Sequence, residues 1–404
     1  MYLKRIIASV LAITVLCSYS YSYIGFRSGE IFSAHSAEVT SGTCGKSMTW
    51  SFSNGTLSVS GNGNMDSNTD ANPCPWASFK DEITSVIIGK GVESIGISMF
   101  DNCKKLTSVS LPDTLKTIGS YSFAACSELT SIEIPNGVTN IGSSAFVQCK
   151  KLSEVKIPES VTSIGALAFS STPWLNERRS METPFVIVNG MLISVYYDIS
   201  GEVVIPSTVT VICDQAVERC SKITSVTIPE SVTKLGYNSF NACSALESVI
   251  IPASVENIGS QAFINCTALS EVTVLSPDCK IYDRATTFTN GNNEFSGTIK
   301  GYDGSTAESY AKKYGYNFVS LGKVPTLGDP NSDGVVDAKD ASFILTEYSR
   351  LSTGENGSFT SAQKIAADVN ADGLTDSKDA SSILGYYAYL STGGKDDFSV
   401  YLKK

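Results

Sequence analysis

Residues 126–149 read CSELTSIEIPNGVTNIGSSAFVQC, and variants of this stretch recur along the middle of the chain. Cys103, Cys126 and Cys149 stand 23 residues apart, and so do Cys220, Cys243 and Cys266. Counting from each Cys as zero, position +3 is Leu106, Leu129, Leu152, Ile223, Leu246 or Leu269, and +6 and +8 are apolar. Pro follows at +9 in most copies, Gly is usual at +16, and Phe is usual at +20. Self-similarity at such a period marks stacked units, each too small to bury its own apolar side. The +6/+8 pair has strand period, so both side chains point inward and +7 points out. Pro at +9 ends the strand because it cannot donate to a ladder. Gly at +16 is expected to supply a tight turn with positive φ. Stacking at about 4.8 Å per turn would place Phe100, Phe123, Phe146, Phe169, Phe240 and Phe263 in one continuous aromatic column.

Composition bounds the rest. At 404 residues the chain is long enough for two or three domains. A net charge of -10 argues against a nucleic-acid partner, which needs a basic footprint. A single His, His35, nearly excludes His-based triads and His-ligated zinc or haem, whereas a glycosidase needs only two carboxylates. No C-x-x-C pair exists, which argues against zinc. The six column cysteines read as small buried hydrophobes. Any disulfide is expected between Cys44 and Cys74.

Lys4 and Arg5 precede a short apolar run, Ile6 to Cys17, too short to span a bilayer of about 30 Å. This is the pattern of a secretory signal, residues 1–36, with cleavage after Ser36 or earlier within 18–23. Leu16 argues against a lipid anchor on Cys17. No other segment is long and apolar enough for a membrane span, so the mature protein is expected to be secreted and extracellular.

The motif L-T-S-V-x-I-P-x-x-V-x-x-I-G-x-x-A-F-x-x-C resembles the BspA-like leucine-rich repeats. The resemblance covers roughly residues 42–320. It implies a β-rich solenoid at 83–279, capped at 37–82, where Gly42-Thr43-Cys44-Gly45 and Trp50 lie, and at 280–320. An irregular module at 173–203, after Thr172 has replaced Cys, is expected to bulge from one face without breaking the core. Its Trp174, Tyr196 and Tyr197 read first as plugging local structure, and they are the exposed aromatics most open to a ligand role. Outward position +7 (Ile87, Ser110, Glu133, Lys156, Val204, Thr227, Ile250, Thr273) carries no aromatic, hence no evident sugar platform.

Beyond a short Pro/Gly linker, 321–328, a second motif appears twice at an offset of 39 residues. Residues 329–354 and 368–393 agree at 16 of 26 positions. Asp329, Asn331, Asp333, Asp337 and Asp340 occupy loop positions 1, 3, 5, 9 and 12, with Gly334 at 6. Asp368, Asn370, Asp372, Asp376 and Asp379, with Gly373, repeat the pattern. That is the oxygen spacing of a calcium loop, with the backbone carbonyls of Val335 and Leu374 at position 7. Position 12 is Asp rather than Glu, which bears on affinity. Apolar residues at Ile344, Leu345, Tyr348, Leu351 and at Ile383, Leu384, Tyr387, Leu390 have helical spacing. Thr360 is placed to cap a short helix, Ser361 to Ala367.

Loop–helix twice, without an entering helix, resembles a type I dockerin over 329–404. That resemblance implies a small all-α module with two calcium ions, docking on a cohesin of a cellulosome scaffold. It further implies that Ala338, Lys339, Arg350, Ser377, Lys378 and Tyr389 face the cohesin. The expected function is a secreted, non-catalytic, cellulosome-associated binding protein whose array meets a polysaccharide, cell-surface or protein ligand. A glycoside hydrolase acting on plant polysaccharide is the alternative, and a spacer or inhibitor a third. The repeats and caps leave no room for a catalytic domain.

Overall fold

The computed structural model describes residues 40–70, 73–291 and 294–403. The expected export signal lies outside the described residues. The chain first forms an antiparallel meander, Ser41–Gly45, Met48–Ser53 and Thr56–Gly61, whose last strand pairs in parallel with Ser85–Ile88. From there a β-solenoid of about ten turns follows.

Short parallel ladders join successive turns in the expected register. Asn140 pairs with Thr117 before it and Ser163 after it, and Val226 pairs with Val249. Position +3 is buried throughout, and Ile132, Ile134, Val249 and Ile251 turn inward while Glu133 and Ile250 between them are exposed. A further ladder runs through the turn region. The N–H groups of Tyr121, Phe123 and Ala125 donate to the carbonyls of Ser143, Ala145 and Val147 at 2.8–3.0 Å.

Two details of the repeat differ from expectation. Gly119, Gly142, Gly165, Gly236 and Gly259 are not in the left-handed region. They are needed for close approach: a Cβ on Gly142 would stand 2.4 Å from the Ser120 backbone nitrogen of the turn before. The left-handed residues lie at +18 and +22, where Tyr121, Ala125, Ser144 and Gln148 hold φ of 54–59° despite carrying side chains.

The aromatic column is also not continuous. Trp76, Phe100, Phe123, Phe146 and Phe169 stack at 5.2–5.4 Å, and Trp174 closes the stack by tilting against Phe169. The next +20 position is Val217, and stacking resumes at Phe240, Phe263 and Phe288. At the same place the ladders stop, after Glu154–Lys156 and Ser163–Ile164, and new sheets begin. Between them lie a short helix α1 (Pro173–Glu177), capped by Thr172, and a hairpin of Phe185–Val188 with Met191–Val195. One apolar core nevertheless runs from Cys44 to Ala311, so the module interrupts the strand ladders and not the core.

The ten cysteines among the described residues are free buried thiols, and the bridge expected between Cys44 and Cys74 is not formed. Cys74 Sγ instead donates to the Met99 carbonyl at 3.3 Å. The far end of the array is covered by α2 (Thr306–Tyr314), which buries Ala307, Tyr310 and Ala311, is capped by Ser305 and stops at left-handed Gly315.

The C-terminal region has its own small core. Helices α3 (Ala338–Ser352), α4 (Ser361–Ala367), α5 (Ser377–Ser391) and α6 (Phe398–Tyr401) surround Ala341, Ile344, Phe359, Ala380, Ile383, Tyr386 and Phe398. Its two ends meet at Gly328: the glycine has φ +86°, and a Cβ there would lie 2.4 Å from the Phe398 ring.

Candidate functional site

The two acidic loops have the same internal geometry. Asp329 accepts the N–H groups of Asp333 and Gly334 at 3.0 and 2.9 Å, and Asp368 accepts those of Asp372 and Gly373 at the same distances. Asn331 and Asn370 each accept a position-5 N–H at 2.8 Å. Asp333 and Asp372 each accept the N–H of position 7 at 3.0 Å. Gly334 and Gly373 hold φ of +86° and +79°, so position 6 needs glycine for the backbone path.

Each loop ends in a reciprocal cap. Asp337 accepts from Lys339 N at 2.7 Å while Asp340 accepts from Asp337 N at 2.9 Å, and Asp376 and Asp379 repeat both bonds. This capping box makes the last loop residues the first turn of α3 and of α5. Asp340 and Asp379 are fully buried. Burial pushes both carboxyls up, against bonds from loop N–H groups that lower them.

Among the described residues, no three Cys, His, Asp or Glu side chains form a ready metal cage. The donor chemistry is nonetheless that of a hard cation. Each loop offers four carboxylates, an amide oxygen and the carbonyl of position 7. A buried anion such as Asp340, flanked by Asp329 and Asp333, is costly unless a cation joins it. The nearest ammonium groups are those of Lys339, 3.7 Å from Asp333, and Lys378, 3.5 Å from Asp372. Both lysines are largely exposed.

Of the residues expected to face a partner, Lys339, Lys378, Ser377 and Arg350 are exposed and Ala338 is half-buried. Tyr389 is half-buried: it hydrogen-bonds Asp396 and lies 5.3 Å from the Tyr401 ring. The helically spaced apolar stripe divides in two. Ile344 and Ile383 are fully buried, but Leu345, Tyr348 and Leu351 are 40–46% exposed, and Leu384, Tyr387 and Leu390 are 37–49% exposed. Two equivalent apolar rows therefore stand in solvent on α3 and α5. Glu347 is a further difference between the copies. Its buried carboxylate accepts from Ser358 N and Phe359 N at 2.7 and 3.0 Å, whereas the equivalent residue is Tyr386.

Comparison with protein families accounts for both regions. The model for the BspA type leucine rich repeat region matches six copies over residues 77–187 and 196–295, more than half of the chain. The chain belongs to the BspA-type leucine-rich-repeat proteins. The dockerin type I domain matches residues 327–386. Dockerins of this type bind calcium and imply a cohesin partner, and the twin loops and the exposed row of α3 lie in the matched module. Both families are non-catalytic in type, and no catalytic domain is found.

No curated protein matches the chain significantly. Among solved structures, a leucine-rich repeat protein from Eubacterium ventriosum is 22% identical, with 70% of this chain and 85% of that one covered and a TM-score of 0.42. A leucine rich cell surface protein from Faecalibacterium prausnitzii is 20% identical over 68% and 93%, with a TM-score of 0.33. The pneumococcal vaccine antigen PcpA is 14% identical over 69% and 98%, with a TM-score of 0.32.

Among the described residues no helix is long and apolar enough to cross a membrane. Trp174, expected to be open to a ligand, is 3% exposed and serves the core, whereas Tyr197 is 59% exposed.

Proposed function

We propose that this BspA-type chain is an exported, non-catalytic subunit that its dockerin tethers to a cohesin while the array presents a surface to a polysaccharide or protein ligand. The observation that carries the reading is the duplication of an exposed Leu–Tyr–Leu row. Leu345, Tyr348 and Leu351 recur 39 residues later as Leu384, Tyr387 and Leu390. Uncovered apolar side chains of this size on a soluble module mark a surface for a protein partner. One calcium ion per loop would be held by Asp329, Asn331, Asp333, Asp337, Asp340 and the Val335 carbonyl. The other would be held by Asp368, Asn370, Asp372, Asp376, Asp379 and the Leu374 carbonyl. The ions neutralise the carboxylates that the two capping boxes bury, and so fix α3 and α5 with their apolar rows outward.

Titration calorimetry of the full chain with a purified type I cohesin, in calcium and in chelator, tests the reading. Binding in calcium that disappears with chelator is expected. Absence of binding to type I cohesins in calcium would remove the tether.

A further inference from the structure

The interruption of the solenoid opens a small recess of about 100 Å³ between Phe169 of the last regular turn and the hairpin that follows. Its wall carries Leu167, Ser170, Arg179, Tyr197, Gln215 and Glu218. Arg179 is the unusual group. Its guanidinium donates to Ser194 Oγ at 2.9 Å and to Asn176 Oδ1 at 3.1 Å, both neutral acceptors. Among the described residues it forms no ion pair, because Glu218 turns to Arg219 and to the Asn241 amide. Burial works against its charge. The two bonds hold the planar fork in one orientation, which suits bidentate capture of a carboxylate. Beside it, Tyr197 is exposed and braced by Tyr196 at 5.1 Å between ring centroids. The remaining polar groups, Ser170, Gln215 and Glu218, stand at an apolar wall that includes Leu167, Leu175, Ile193 and Val195.

We infer that this recess binds a carboxylate-bearing sugar, with the acid on Arg179 and the ring against Tyr197. Hydroxyls of the sugar would meet Ser170, Gln215 and Glu218. A peptide C-terminus shares the carboxylate but lacks the row of hydroxyls that Ser170, Gln215 and Glu218 would meet. The inference rests on the array being the presenting surface, and it is independent of cohesin docking.

The test is calorimetry or saturation-transfer NMR on the full chain without cohesin. The probes are oligogalacturonate, sialyllactose, neutral cello-oligosaccharide and a short peptide with a free C-terminus. Binding of one or both acidic sugars but not the neutral one is expected, and the two acidic probes separate uronate from sialate. Arg179→Gln should weaken that binding at least tenfold. Tyr197→Ala should also weaken it, and its exposed position leaves the core intact, which separates lost contact from lost folding. Peptide binding without sugar binding, or acidic-sugar binding unchanged in both variants, overturns the recess as a sugar site. In the second case the array remains a presenting surface. If no probe binds, the recess is not a sugar site, while the array as a presenting surface and cohesin docking both stand.

Discussion

Cys126 Sγ donates to the Phe100 carbonyl at 3.1 Å, and Cys266 Sγ makes the same bond to Phe240 at 3.2 Å. The column cysteine is thus a small buried side chain with one donor, aimed at a carbonyl of the preceding turn. This explains why Cys suits the position better than Ala, which would leave the carbonyl without that partner.

Burial raises Cys44, Cys103, Cys213, Cys220, Cys266 and Cys279 from about 9 to about 12. In the unfolded chain these thiols ionise near their usual value, so between pH 9 and 12 the unfolded state binds fewer protons. Stability is therefore fully present below about pH 8 and falls as pH rises, by about 1.4 kcal/mol per pH unit for each such thiol. Thermal melts of the full chain from pH 7 to pH 10.5 should show the array transition dropping steeply above pH 9. A transition flat to pH 10.5 would show that the thiols are not protonated core groups.

Phe146 lies between Phe123 and Phe169, with both rings 5.4 Å away and within 4° of parallel. Phe146→Ala should cost about 3–5 kcal/mol, the usual loss for a buried aromatic. Each turn contacts only its neighbours, so hydrogen exchange should rise most in the turns holding Phe123 and Phe169. A loss under about 1 kcal/mol would mean that the column is not core.

Gly142 and Gly304 offer opposite tests of glycine. Gly142 has an ordinary φ but no room for a Cβ; Gly304 has φ +76° and open space around it. Gly142→Ala should force two turns apart and cost about 1–3 kcal/mol or more, as overpacking does. Gly304→Ala should cost about 1–2 kcal/mol from the left-handed backbone alone. Chemical denaturation of both variants compares them, and a harmless Gly142→Ala would restore the turn explanation.

Much of this was legible because period is a strong signal. The 23-residue spacing of Cys126 and Cys149 implied stacking, and inward Ile132 with outward Glu133 followed from strand alternation. The role of Gly142 was not legible, since a sequence shows that glycine is required but not whether φ or space requires it. Left-handed Tyr121 and Ala125 left no mark because neither residue type favours that region. The exposure of Leu345 and Tyr348 was not legible for a related reason. Helical spacing identifies an apolar face, but so small a module has too little interior to cover all of it. Trp174 was misread because an irregular module gives no register from which to infer its neighbours.

Calcium should decide whether the dockerin stays folded in the full chain. Without cations, the carboxylates of Asp329, Asp333, Asp337 and Asp340 crowd one loop, and buried Asp340 has no cationic partner of its own. Limited proteolysis should cut within residues 329–396 in chelator and spare them in calcium, while the array stays intact in both. Asp340→Ala and Asp379→Ala should each raise the calcium needed for protection. Equal resistance with and without calcium would separate folding from the metal.

The two docking rows should be able to replace each other. α3 and α5 present the same Leu–Tyr–Leu triplet, and each lies beside a loop of matching geometry. Rotation by about 180° would therefore offer a cohesin an equivalent surface, although Arg350 is exposed in one copy and Tyr389 is half-buried in the other. Changing Leu345 and Leu351 to Glu disables the first row, and changing Leu384 and Leu390 to Glu disables the second. All four positions lie outside the calcium loops, and all are exposed, so folding should be unaffected. Calorimetry with a type I cohesin should show each single-row variant still binding, with the two differing in affinity because of Arg350 and Tyr389. The combined variant should not bind. If one single-row variant abolishes binding and the other changes nothing, only one orientation is used.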